Sequence, residues 1–138
     1  AMWKPTPRVL TKLLNQEWKV FIENRKRRVI TQVFRSGWIG DYNDAYTFLQ
    51  LLHSANGQND PGYRNPAYDA LLDQAAATAD PAERRALLEA AERQLLADQP
   101  LIPLYFYASK RLVKPWVGGY RPNLMDHHHS KDLYILRH

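Results

Sequence analysis

The residues best suited to chemistry lie in the stretch RSGWIGDYNDAYTF, residues 35–48, which places two carboxylates among glycines and aromatic side chains. Asp41 and Asp44 could form a pair for acid–base work, but neither has a histidine or a nucleophile near it in sequence. No G-x-S-x-G, phosphate-binding loop or H-E-x-x-H motif occurs in the chain. The sequence therefore predicts a binding protein and no enzyme.

The two carboxylates have different local explanations. Asn43 and Asp44 directly precede a helix-like run, so N-capping of that helix accounts for the second carboxylate. Asp41 is left over. A carboxylate beside apolar walls pairs strongly with a cation, because a low local dielectric strengthens the attraction. Glycines such as Gly37 let a ligand backbone approach closely. The pattern predicts a site for an amine, and a peptide amino terminus is one.

Metal and thiol chemistry find little support in the sequence. The chain contains no cysteine, which excludes disulfides, cysteine-based zinc sites and thiol nucleophiles. Three adjacent histidines, His127, His128 and His129, are better explained as a surface turn, because neighbouring residues rarely converge on one ion. We therefore expect neither a metal nor a cofactor.

The formal net charge of +5 raises the possibility of nucleic-acid binding, since clustered cations capture phosphates. The cluster is RKRR at residues 25–28, which closes a predicted amphipathic helix with Trp18 on its apolar face. Cations in the last turn of a helix also favour the helix dipole without any partner. A basic nucleic-acid-binding module remains an alternative, although no known nucleic-acid-binding motif accompanies the charge.

The remaining elements predict an α/β fold in which a mixed sheet is flanked by helices. With 138 residues the chain has the size of one domain, and no apolar run approaches the length of a membrane span. Helices are predicted over residues 45–53, from Pro66 after the cap Asn65, and from Pro81 after the cap Asp80. Strands are predicted at residues 9–14, 29–34, 101–107 and 132–136, with residues 29–34 largely buried.

Several stretches resemble one family, and they follow one another in order along the chain. They are NQEWK at residues 15–19, SGWIGDYN at 36–43, GYRNPAYD at 62–69, AERQL at 91–95, PLYFY at 103–107 and RLVKPWVGGY at 111–120. Together they are similar to the C-terminal part of the periplasmic oligopeptide-binding proteins, the solute receptors of peptide ABC importers. The resemblance implies that residues 1–138 form part of a lobe of a type II (cluster B/C-like) periplasmic binding protein, about the last quarter of the family's length.

The resemblance also implies a peptide site. Asp41 matches the aspartate that pairs with the peptide's α-amino group, and the backbones of Gly37 and Ile39 match positions that pair with the peptide like a neighbouring strand. Roomy, water-filled side-chain pockets are implied at Trp18, Arg25, Arg35 and Trp38, and a tyrosine near the ligand at Tyr107.

The implied partners are an oligopeptide, the remaining N-terminal part of the receptor and the importer's membrane permease, with no nucleic acid. The implied location is the bacterial periplasm, or an extracytoplasmic lipoprotein. An alternative from another class is a structural or interaction fragment that keeps the fold without binding ligand. Strands that lack their partners would then expose edges that promote association.

Overall fold

A computed structural model describes residues 11–30 and 32–137 of the chain. Helix α1 spans Trp18–Arg27, and the short helix α2, Tyr46–Leu49, continues into a 3-10 turn at Gln50–Leu52. Helix α3 spans Pro66–Ala77 and α4 spans Pro81–Asp98. Strand β1, Val117–Gly118, pairs antiparallel with β2, Tyr134–Ile135, after a second 3-10 turn at Ser130–Asp132. Within the described ranges, no helix is long and apolar enough to cross a membrane.

Helices α3 and α4 begin where the capping residues predict. The Asn65 side chain accepts hydrogen bonds from the backbone of Ala67 and Tyr68, and Pro66 occupies the first helical position, where it loses no hydrogen bond. The Asp80 carboxylate accepts from the Glu83 backbone at 2.7 Å. Both helix predictions are confirmed, because the capping signals are local and independent of the rest of the fold.

The hydrophobic core lies between α2, its 3-10 extension, α3 and α4. Tyr68 at its centre is fully buried, and its hydroxyl donates to the Leu49 carbonyl at 2.6 Å, which satisfies the one polar atom of that side chain. The buried apolar residues are Leu49, Leu52, Tyr68, Leu72, Ala75, Leu88, Ala91 and Leu95. Every buried residue of the described chain falls between positions 47 and 95, so this core is what the candidate site rests on.

Helix α1 confirms the predicted amphipathic segment but packs differently from the core helices. Its first turn is capped by the Glu17 carboxylate, which accepts from the backbone of Lys19 and Val20. None of its residues is buried, and Trp18 remains 68% exposed. Phe21 and Ile22 are only half-buried, so apolar packing holds α1 less firmly than the core helices.

The four strand predictions have different outcomes. The strand at 132–136 is confirmed at Tyr134–Ile135, where the ring of Tyr134 lies over Gly118. The strand at 101–107 is wrong, since these residues form no regular secondary structure and are exposed. Residues 9 and 10 lie outside the described ranges, and residues 11–14 form no regular structure.

The buried strand predicted at residues 29–34 is also wrong. Its described residues form no strand, and Val33 is 65% exposed. The positive φ of Arg28 and of Ile30 bends the chain away from an extended path. β-Branched residues favour a strand only where a partner and a packing surface receive them.

Candidate ligand-binding site

Asp44 is committed to structure. Its carboxylate accepts from the backbone N–H of Tyr46, the first residue of α2, at 2.7 Å. The Arg84 guanidinium donates two further hydrogen bonds to it, at 2.6 and 3.0 Å. These bonds from Arg84 hold the pKa of Asp44 below its ordinary value. The predicted capping role is thus confirmed for Asp44, while the side chain of Asn43 makes no capping bond.

The Asp41 carboxylate is held in one orientation, but only one of its two oxygens accepts a hydrogen bond from a described residue. The Thr47 hydroxyl donates to Asp41 Oδ2 at 3.2 Å and accepts from the Asp41 backbone N–H at 3.3 Å. Thr47 is itself fully buried, so this support is rigid. Asp41 Oδ1 accepts no hydrogen bond from the part of the chain that the structure describes, and the residue lies at the surface. Thr47 therefore fixes the orientation of the Asp41 carboxylate through Oδ2, and among the described residues Oδ1 is left open to a cationic donor.

The segment immediately before Asp41 offers an unpaired backbone. From Arg35 to Gly40, no backbone N–H or C=O is hydrogen-bonded to residues 11–30 or 32–137. The two glycines differ in their surroundings. A Cβ on Gly40 would lie 3.1 Å from the Phe48 ring, whereas a Cβ on Gly37 would meet no described atom within 4 Å. Gly40 is explained by packing, and Gly37 faces open space.

The structure places five of the eight predicted site residues on this one segment. They are Arg35, Gly37, Trp38, Ile39 and Asp41, all exposed. Arg25 is linked to the segment through Phe34, since its guanidinium lies 5.8 Å from the centre of that ring. Trp18 precedes Arg25 on the same helix. Tyr107 is 80% exposed and makes no hydrogen bond or ring contact with the described residues, so the structure does not bring it to Asp41.

Sequence reasoning missed the residues that support the site. Thr47 lies in the middle of α2, where its hydroxyl had no assigned role, and Arg84 is 40 positions away from Asp44. Arg25 also has an ion-pair partner that sequence did not predict, with its Nε 2.6 Å from Asp60 Oδ2. No local pattern could have paired residues so far apart in the chain.

The three adjacent histidines, His127, His128 and His129, lie in the part of the chain that the structure describes. Across the described ranges, no group of three or more potential ligands is close enough to hold an ion. His128 stacks on the Tyr120 ring with centroids 4.5 Å apart and contacts the Asp126 carboxylate at 2.7 Å. Residues 127–129 have no regular secondary structure, and the turn before them lies at residues 124–125.

Comparison with known proteins gives consistent relatives. No family model matches the chain. The periplasmic oligopeptide-binding protein OppA of Escherichia coli K12 is 39% identical over 139 residues, covering 100% of this chain and 25% of that protein. The probable deoxycholate-binding periplasmic protein YgiS of the same organism is 37% identical over 137 residues, covering 99% of this chain and 25% of that protein. The chain thus spans about a quarter of the length of these relatives.

The fold leads to the same group. The solved structure of the Escherichia coli murein tripeptide binding protein MppA superimposes with a TM-score of 0.90 at 42% identity, covering 99% of this chain and 27% of that one. The prediction of an α/β lobe fragment of a periplasmic binding protein is confirmed by this match. In sequence and in fold, the chain belongs with the C-terminal quarter of the periplasmic oligopeptide-binding proteins.

Proposed function

We propose that this chain is the part of a peptide importer's solute-binding protein that captures the amino-terminal end of an extended oligopeptide. The observation that carries the proposal is the state of Asp41, whose carboxylate is held by Thr47 through one oxygen while the other accepts nothing from the described residues. The carboxylate oxygens of the neighbouring Asp44 already accept hydrogen bonds from Arg84 and from the first backbone N–H of α2. Only Asp41 of this pair can receive a ligand.

A peptide ammonium suits this position on physical grounds. A protonated amine donates charge-assisted hydrogen bonds, which are about twice as strong as neutral ones. The half-exposed ring of Trp38 lies three residues before Asp41 and supplies apolar surface that lowers the local dielectric. Asp41 would then pair with the α-amino group, as the family resemblance implies.

The unpaired backbone explains how such a site reads peptides of many sequences. Residues 35–40 present hydrogen-bonding groups that no described residue uses. A peptide added beside them as a strand would be recognised through its main chain, largely independently of its side chains. Gly37, with open space where a Cβ would stand, lets the peptide backbone approach. Trp18, Arg25, Arg35 and Trp38 would line the side-chain pockets.

The whole receptor requires more than these 138 residues. The chain exposes 11782 Å². A compact monomer of its 16.1 kDa mass would expose about 7,400 Å². The excess supports a partner surface, which we assign to the remaining N-terminal part of the receptor. The membrane permease of the importer, and a periplasmic or extracytoplasmic lipoprotein location in a bacterium, belong to the same proposal.

The same excess of exposed surface favours a second candidate, a lobe fragment that associates without binding peptide by itself. It predicts concentration-dependent oligomerisation and no response to peptides. Nucleic-acid binding through residues 25–28 loses support, because Arg25 is paired with Asp60 and Arg28 binds two backbone carbonyls. A steep fall of affinity with salt would be its signature.

The test is calorimetric titration of the chain, alone and together with the receptor segment that completes it. The ligands are trialanine, N-acetyl-trialanine and deoxycholate, the last because of the YgiS relative. The variants are wild type, Asp41→Asn and the control Asp73→Asn, an exposed carboxylate on α3. We expect trialanine binding to weaken about 30-fold or more on acetylation or in Asp41→Asn, since truncating one partner of a close charge pair costs about 2 kcal/mol or more. Equal binding of both peptides, or a response to deoxycholate alone, would contradict the proposal.

A further inference from the structure

Helix α1 poses a structural problem that the proposed site does not solve. It carries Trp18 and Arg25, which the proposal assigns to side-chain pockets, yet it buries no residue. The apolar residues Phe21 and Ile22 of this helix are only half-buried, so hydrophobic packing holds it weakly, and a helix of ten residues is marginal by itself. Something else must fix the position of these two side chains.

The attachment is made by Arg28, the residue that ends the helix. Its backbone adopts the left-handed conformation, with φ of 54°, and its N–H closes the last turn on Arg25 and Asn24 carbonyls. Its guanidinium donates from Nε to the Asp60 carbonyl and from Nη2 to the Asn59 carbonyl, both at 3.0 Å. One side chain therefore binds two successive carbonyls of the connecting loop, residues 53–63.

The connecting loop is a firm support because Asn59 ties it to the core. Asn59 is 5% exposed, and its Nδ2 donates to the Tyr63 carbonyl at 2.7 Å while its Oδ1 accepts from the Tyr63 N–H at 3.0 Å. Weaker contacts join Nδ2 to the carbonyls of Leu52 and His53. Tyr63 in turn packs against the hydrophobic core, so Arg28 connects α1 to a part of the loop that is joined to the buried helices.

Gly62 shows how closely the guanidinium is seated. This glycine has φ of +71°, and a Cβ on it would lie 2.7 Å from Arg28 Cζ, too close for any real side chain. Asp60 also forms an ion pair with Arg25 of α1. The connecting loop therefore has room for the Arg28 guanidinium beside Gly62, on the side that faces the end of α1.

We propose that Arg28 is a positioning residue that holds α1 on the connecting loop and thereby sets Trp18 and Arg25 for the side chains of the bound peptide. This inference rests on the proposed function and adds a determinant of side-chain preference to it. Arg28 acts through α1 and makes no contact with the peptide. The amine anchor at Asp41 is held by Thr47 of α2, which is not part of this attachment.

Arg27 provides a matched control. It carries the same charge at the same helix end, but its side chain is 68% exposed, and among the described residues its one ion-pair partner is Glu23, at 4.0 Å on its own helix. Any effect of removing a cation from the cluster would appear equally in Arg27→Ala and Arg28→Ala. An effect of the attachment appears in Arg28→Ala alone, and in Gly62→Ala, whose methyl displaces the guanidinium.

The first measurement is amide hydrogen exchange in the ligand-free chain. In Arg28→Ala, we expect the amides of α1 to exchange at least 10-fold faster, while those of α3 and α4 keep their wild-type rates. Arg27→Ala should resemble wild type, and Arg28→Lys should be intermediate because an ammonium cannot reproduce both guanidinium bonds. Equal exchange in Arg27→Ala and Arg28→Ala would overturn the attachment.

The second measurement compares triglycine with Lys-Trp-Lys in the binding-competent protein. We expect Arg28→Ala to weaken Lys-Trp-Lys at least 5-fold and triglycine less than 2-fold, since triglycine has no side chains to place. Equal losses for both peptides, or no loss for either, would overturn the positioning role. If wild type binds neither peptide, the proposed function fails and the role in side-chain preference falls with it, while the exchange result still decides whether Arg28 holds α1.

Discussion

The Asp44 carboxylate and the Arg84 guanidinium are joined by two hydrogen bonds, at 2.6 and 3.0 Å, across 40 positions of sequence. This pair fastens the start of α2 to α4, three residues after Asp41. It therefore fixes the proposed amine site to the buried helices and at the same time removes Asp44 from ligand binding. Both side chains are partly buried, so the burial of this ion pair is intermediate between that of a surface pair and that of a pair in the core.

Replacing Arg84 by Met should destabilise the fold by about 1 kcal/mol at pH 7, because a two-bonded pair at the surface is lost. Arg84 holds the pKa of Asp44 below its ordinary value. A group with a lowered folded pKa adds stability above its unfolded pKa, about 3.9 for Asp, and loses it as pH falls through the folded value. Urea unfolding should thus show a gap between wild type and Arg84→Met that is full at pH 7 and shrinks below about pH 4.

Arg85→Met is the control for this prediction. Arg85 is the next residue on α4, and its pair with Glu89 lies one turn away on the same helix, 81% exposed at the arginine. An exposed pair of this kind is screened by solvent and contributes little to stability. Equal destabilisation by the two substitutions, or a gap for Arg84→Met that persists undiminished at pH 3, would refute the structural role of Asp44.

Thr47 offers a way to separate orientation of Asp41 from general stability. Thr47→Val keeps the shape but removes the hydroxyl that holds Asp41 Oδ2 and the Asp41 N–H. Thr47→Ser keeps the hydroxyl but removes a buried methyl. Each should cost about 1 kcal/mol of unfolding free energy, the first through hydrogen bonds and the second through burial.

Only the valine variant should affect binding. We expect about a 5-fold loss of trialanine affinity in Thr47→Val, since a carboxylate that is not held in place must be ordered on binding. Thr47→Ser should bind within 2-fold of wild type. Paired denaturation and calorimetry check both values, and parallel affinity losses in the two variants would show that Thr47 acts only through stability.

The helices could be predicted from sequence because their signals are local. Asn65 before Pro66 and Asp80 before Pro81 each specify a helix start within four residues, and the structure begins both helices there. The position of Asp44, and not Asp41, at the start of α2 could also be predicted from spacing alone. Asp44 stands where α2 needs a cap, and Asp41 does not.

The strands could not be predicted in the same way, because a strand depends on a partner. Residues 29–34 and 101–107 have strand-forming side chains, yet no described strand pairs with either segment. Side-chain propensity reports only that a segment fits a sheet, and the sheet must be supplied from elsewhere. The hydrogen bonds of Arg84 with Asp44 and of Arg28 with the Asn59 carbonyl also join residues far apart in sequence, so no local motif predicts them.

The two glycines of the Gly-Trp-Ile-Gly run allow a test in which stability and binding respond in opposite ways. A methyl on Gly40 would lie 3.1 Å from Phe48 and 3.3 Å from the Thr47 methyl, so Gly40→Ala should lower the unfolding free energy by about 1 kcal/mol. A methyl on Gly37 meets nothing described within 4 Å, so Gly37→Ala should leave stability unchanged or slightly improved.

Peptide affinity should follow the reverse order, because Gly37 lies in the backbone that the proposed site offers to the ligand. We expect Gly37→Ala to weaken trialanine binding at least 5-fold, since the added methyl occupies space into which the peptide backbone would approach. Gly40→Ala should weaken it less than 2-fold at a temperature where both variants are fully folded. If Gly37→Ala binds like wild type, the open space at Gly37 does not face the peptide, and backbone pairing along residues 35–40 must be abandoned even where the Asp41 anchor survives.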